Sequence, residues 1–137
     1  MQNYAGDFTL PPPKIVVRTI REVFPSCRIF RESARDGALV EKEKRDFTNM
    51  VIFCVKDANR PVTFRKATPA DMLQSRTREH FLVPKHEVFE ADFTAKGEVD
   101  VLRSNDTSAL AKWHDKSALG HWEIMRTVLP DFVWESW

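Results

Sequence analysis

A layered α/β fold is what this sequence predicts, on three observations. Thr48–Lys56 (TNMVIFCVK) is a nearly unbroken apolar run rich in β-branched and aromatic residues, the pattern of a strand covered on both faces. Cys27–Glu32 (CRIFRE) alternates, with Cys27, Ile29 and Arg31 on one face and Arg28, Phe30 and Glu32 on the other. Ahead of it, Ile15, Val16, Ile20, Val23 and Phe24 recur at a helical period. The chain has 137 residues, 42% hydrophobic and 11% aromatic, so it is not disordered by composition. A chain of this mass buries roughly 68% of its unfolded surface, and one domain is allowed.

The elements follow in order. FTLPPP (residues 8–13) stops any strand, and Pro12 and Pro13 fit the first turn of a helix over residues 12–24. Pro25 ends it. The strand Cys27–Glu32 comes next and reads as near an edge. Arg31–Asp46 holds ten charged residues in sixteen with alternating signs, a solvated loop rather than a binding patch. The apolar strand follows, then a short strand over residues 61–65 (PVTFR). Thr68-Pro69-Ala70-Asp71 is a helix start, with Thr68 as cap, Pro69 in the first helical position and Asp71 three residues on; the helix should run to Phe81. Residues 85–96 read as loop. Two further helices are expected, over Thr107–Asp115 and from Ser117 to Pro130. The second carries Leu119, Trp122, Met125, Val128 and Leu129 as a core stripe, with a break near Lys116. Phe132, Val133, Trp134 and Trp137 must pack onto something.

Charge and composition exclude several functions. The net charge of +1 provides no strong field for nucleic acid or an anionic membrane. Glycines stand at Gly6, Gly37, Gly97 and Gly120, so no G-x-G pair exists and a glycine-rich nucleotide cradle is excluded. No stretch approaches the length of a membrane span, and residues 1–10 lack a signal-peptide pattern. Two cysteines, Cys27 and Cys54, outside any C-x-x-C read as reduced thiols of a cytoplasmic protein. Antiparallel pairing of their strands makes a disulfide geometrically conceivable, and Arg28 or Lys56 could activate a catalytic thiol. Two buried structural thiols are the preferred reading. His114 and His121 could share a helix face, but the four histidines lack metal-ligand spacing and no metal is expected. Trp113, Trp122, Trp134 and Trp137 fall in the last 25 residues; a base-stacking platform is the weaker reading and core packing the stronger. No catalytic triad or carboxylate pair stands out, so the catalytic residues are unknown from the residues alone.

VVRTIREVFPSCRIFRE (Val16–Glu32) followed by FTNMVIFCVK (Phe47–Lys56) resembles the end of the class I S-adenosylmethionine-dependent methyltransferase fold. There a helix and strand six follow strand five, and strand seven inserts antiparallel between five and six. TIREVFPSCRIFRE and the N-terminal NYAGD particularly resemble the spermidine-synthase-like polyamine aminopropyltransferases. The resemblance covers residues 1–56. It implies an incomplete Rossmann-like sheet that retains the final helix and antiparallel strand pair. Residues 57–137 would then be a mainly helical C-terminal extension packed on it. In such families the cofactor loop and catalytic acid lie on strands one to four, which would precede Met1. No cofactor-binding residue can be carried over, and S-adenosylmethionine or its decarboxylated form is implied only for a full-length relative.

Tyr4 and Asp7 would follow the carboxyl end of strand five, where open α/β sheets bind ligands, and are the candidate substrate-binding residues. Asp7 beside Gly6 is more simply a turn residue. The expected function is the C-terminal part of an aminopropyl or methyl transferase, inactive as this isolated chain. The alternatives are an interaction module with a Trp-rich helical C-terminus and a small enzyme with a cysteine or histidine site. With only a stub of strand five, one edge of the long apolar strand (Phe47–Lys56) would lack a ladder and invite self-association or a complementary chain; neither nucleic acid nor membrane is an expected partner.

Overall fold

The structure, a computed structural model, describes residues 1–93 and 100–136. Strand β1 (Gln2–Asp7) leads into helix α1 (Pro11–Val23), which starts on the proline run and ends before Pro25 as expected. Strand β2 (Ser26–Arg31) follows, then a short helix α2 (Gly37–Glu43) and strand β3 (Phe47–Val55). The sheet order is β1-β3-β2-β4, where β4 is His86–Glu87, and every neighbouring pair is antiparallel. β1 and β2 therefore run parallel to each other on either side of β3. This is the local order that the resemblance implies for strands five, seven and six. The rest of a doubly wound parallel sheet is not among the described strands, so a mixed α/β fold with a four-stranded sheet is what stands.

The core lies between α1 and one sheet face. Register sets Tyr4, Met50 and Arg31 side by side, and Gln2, Ile52 and Ile29 one step along. On that face Ile29, Met50 and Ile52 pack with Phe8 and Val17, and Val88 and Phe93 close the cluster. Burying each such side chain stabilises by roughly 1.5–3 kcal/mol. β3 is fully buried only on this face: Thr48, Met50 and Ile52 are buried, while Asn49 is exposed and Val51 and Phe53 are half-buried. The expectation of a strand covered on both faces is thus corrected. The apolar content of its second face is met only in part, by Phe30 and Phe64.

Other departures have local causes. The charged segment is not all loop: the Asp36 carboxylate accepts from the Ala38 and Leu39 amides and starts α2. No strand forms over residues 61–65. The helix from Thr68 splits into α3 (Pro69–Met72) and α4 (Arg76–Phe81), because Leu73 and Gln74 take φ of 50° and 56° and Ser75 caps anew. Asp71 does meet Thr68 as expected, accepting from its amide and hydroxyl. The expected loop over residues 85–96 contains β4 and a 3₁₀ turn at Glu90–Asp92, and its last three residues lie outside the described ones. α5 (Ser108–Ala111) is short, and α6 (His114–Val128) runs through Lys116 and Gly120 without a break. α7 (Asp131–Glu135) ends the described chain; Gly97 and Trp137 lie outside it.

Cys27 and Cys54 are register partners and form a disulfide. This overturns the reduced-thiol reading and removes both from consideration as nucleophiles. It also removes the ground on which a cytoplasmic location was expected, since disulfides persist in oxidising compartments. No helix among the described residues is long and apolar enough to cross a membrane.

Two predictions follow from these contacts. Replacing both cysteines by serine removes a closed loop spanning 27 residues. The expected loss is about 3–4 kcal/mol, read as a lower urea midpoint; an unchanged midpoint would contradict the cross-link. At the sheet edge, hydrogen bonds from Arg28 to Glu87 at 2.8 and 2.7 Å hold the Glu87 carboxyl below its ordinary range, with charge attraction adding and burial opposing. The stabilisation is fully present above the ordinary carboxylate pKa of about 4.3 and is lost as pH falls through the lowered value. Carboxyl carbon shifts should show Glu87 titrating below the ordinary carboxylate range, and Arg28→Gln should raise it.

Candidate functional site

The carboxyl end of β1 is the site that the sequence singles out. Tyr4 and Gly6 lie on the helix-side face, two residues apart. A Cβ on Gly6 would stand 2.6 Å from Cε1 of the Tyr4 ring and 3.1 Å from Cγ of Pro13. Gly6 is therefore a seat for that ring and for the start of α1. Tyr4 is half-buried, burial raises its phenol pKa, and its hydroxyl makes no hydrogen bond among the described residues. It keeps a neutral donor available at physiological pH.

Asp7 ends the strand three residues on, so the pleat turns it to the opposite face from Tyr4. The structure does not bring the two side chains together. Oδ1 of Asp7 accepts from the Thr9 amide (2.9 Å), the Thr9 hydroxyl (2.8 Å) and the Asp46 amide (2.9 Å). That oxygen shapes the turn into α1 and ties it to the entry of β3. Oδ2 takes no hydrogen bond among the described residues and is what the carboxylate has left for a ligand.

A buried ion pair beside this turn was not foreseen. Arg31 donates from Nη1 (3.0 Å) and Nη2 (2.6 Å) to the two oxygens of Asp46, with both side chains buried. Its guanidinium stacks over Phe8 at 5.4 Å, and Arg35 approaches Asp46 at 3.6 Å. The Arg31 Nε is buried without a partner among the described residues. One signal for the pair existed. Arg31 shares a face with Cys27 and Ile29, and a charge on a buried face requires a counter-charge.

The remaining candidates are dispersed. His114 and His121 do share α6, but His121 lies against Phe47, and no group of three metal-ligating side chains forms among the described residues. Trp134 packs edge-on to Trp122 and donates to the Arg126 and Leu129 carbonyls. The stripe expected in the core is exposed instead: Leu119, Trp122, Met125, Val128 and Leu129 are all at least 41% accessible. α6 meets the body through β1 and an Arg45–Glu123 ion pair, leaving this stripe outward.

No family model and no solved structure matches the chain. It resembles a methyltransferase. Identity is 49% over 143 aligned residues to an N-terminal histidine N-methyltransferase of Emericella nidulans. The alignment takes in 98% of this chain and 25% of that protein, so the chain spans about a quarter of the relative's length. The likeness supports the methyltransferase side of the expectation and gives none to the polyamine, spermidine-synthase-like side.

The buried pair sets a testable cost. Asp46→Asn leaves Arg31 charged and poorly compensated and should destabilise by about 3–5 kcal/mol. The double change Arg31→Met with Asp46→Leu should recover most of that in the same denaturant titration. Equal losses in both variants would show that the pair has another role.

Proposed function

We propose that this chain works within an S-adenosylmethionine-dependent N-methyltransferase acting on N-terminal histidine, as the portion that closes one end of the sheet. The observation that carries the reading is the 49% identity across nearly the whole chain, and the β1-β3-β2 order is consistent with it. Methyl transfer to a histidine nitrogen needs the sulfonium methyl aligned with an unprotonated nitrogen lone pair, with water excluded. The chain's own residues do not fit the donor nucleoside. No G-x-G turn is present, and the space above Gly6 is taken by Tyr4. No step through the donor is therefore assigned here. In this proposal Tyr4 offers the acceptor substrate a hydrogen-bond donor and the free oxygen of Asp7 an acceptor, each from its own side of β1.

The unpaired side of β1 belongs to the same proposal, as the edge along which a further strand would pair. β3 is paired on both sides, which corrects the expectation of an open edge on the long apolar strand; among the described strands the unpaired edge is that of β1. Self-association through this edge is the competing outcome, separable by size-exclusion chromatography with light scattering. A second reading, a protein-interaction module, is favoured by one observation: the exposed Leu119–Leu129 stripe on α6.

Calorimetry with S-adenosylmethionine is the direct test. The 137-residue chain should show no binding, and methyl transfer from labelled donor to a histidine-first peptide should require the longer protein. There, Tyr4→Phe or Asp7→Asn should reduce transfer about tenfold or more. Donor binding by the chain alone, or full activity in both variants, would overturn the proposal.

A further inference from the structure

The sheet face away from α1 carries a cavity of about 870 Å³. Arg28 and Phe30 of β2 form one wall, and the 63–73 segment with the end of α4 forms the others. Its volume lies within the range of small-ligand sites, roughly 300–1,000 Å³. Phe64 meets Phe30 and Phe53 edge-on and is still 44% exposed. Leu73, pushed out by the left-handed break between α3 and α4, is 68% exposed, and Leu82 and Val83 are also open to solvent. A contiguous exposed apolar surface of this kind marks a binding region.

The charges around it have one sign left over. Arg28 is spent on Glu87, and its guanidinium lies over both Phe30 and Phe64. The cavity-lining carboxylate Asp71 is fully engaged: Arg65 forks onto both its oxygens and Thr68 donates twice. Those bonds hold the Asp71 carboxyl far below its ordinary range, so it stays ionised and paired. Among the described residues Lys66 makes no ion pair, and the Arg78 guanidinium donates to the Asp71 carbonyl rather than to a carboxylate. Two cations without carboxylate partners among the described residues thus stand at the margin of an apolar hollow.

We propose that this cavity binds an amphiphilic carboxylate, its hydrocarbon portion against Phe64, Leu82 and Val83 and its head drawn to Lys66 and Arg78. A cation is disfavoured by the surplus positive charge. A small inorganic anion would leave the apolar surface wet. The inference is independent of the methyltransferase reading, because it rests on the opposite sheet face from Tyr4.

Octanoate, 1-octanol and acetate, titrated into the full 137-residue chain, test it through the methyl resonances of Leu73, Leu82 and Val83. Octanoate should produce saturable shifts at these methyls and acetate none. Lys66→Glu with Arg78→Glu should weaken octanoate about tenfold or more while octanol still binds, which also reports that the variant folds. Should the double variant unfold, Lys66→Gln alone should weaken octanoate and spare octanol. Absence of saturable shifts, an equal response to acetate, or octanoate affinity unchanged in the variants would overturn the proposal. So would binding to phosphatidylglycerol vesicles without binding to monomeric octanoate.

Discussion

The insertion of β3 between β1 and β2 is the constraint on which the rest depends. Met50, Val51 and Ile52 are paired on both sides, with Gln2–Tyr4 and with Ile29–Arg31. A one-residue slip in either ladder would exchange the buried Met50 and Ile52 for the half-exposed Val51 and Phe53. Two devices oppose such a slip. The Cys27–Cys54 bond joins opposite residues of one ladder, and the Arg31–Asp46 pair clamps the far end of β2 to the residue that precedes β3. Asp7 extends the same fixation to β1 by binding the Asp46 amide.

The sheet's two faces have separate tasks. The α1 side is a dry core around Phe8 and Met50, both fully buried. The other side is aromatic, open and ringed by arginine. Putting Tyr4 on the first face and Asp7 at the strand's end divides the candidate acceptor-side groups between two environments. A bound substrate would have to reach around the end of β1 to meet both.

Much of the framework was legible because it rests on periodicity and proline. α1, β2 and β3 emerge within a residue or so of their expected bounds, and Pro25 and Pro130 stop helices where a ring must. What stayed hidden depends on long-range packing. Nothing local announces the left-handed Leu73 and Gln74, since neither is glycine or asparagine. α2 was masked by its charges, although Asp36 before Gly-Ala-Leu is a cap signal. The cysteines were correctly placed opposite each other, but an assumption about compartment decided their state. For the site, Tyr4 and Asp7 came from topology alone. Arg31 and Asp46 stay hidden in a charge-dense run that reads as uniformly wet, although alternation along β2 puts Arg31 on the face of Ile29.

The connection β1–α1–β2 carries a consequence for how the chain reaches this state. Neither β1 nor β2 is the other's neighbour, so among the described strands β1 has no ladder partner before residues 47–52. The β2–β3 ladder closes over a short separation and can form early, whereas β1 joins across separations of 40 (Asp7–Phe47) to 50 (Gln2–Ile52) residues. During that interval the apolar side of α1 has only half a sheet to rest on. Loop-closure entropy therefore favours the β2–β3 ladder forming before β1 joins it, so the strand that carries the candidate site docks onto a hairpin already made.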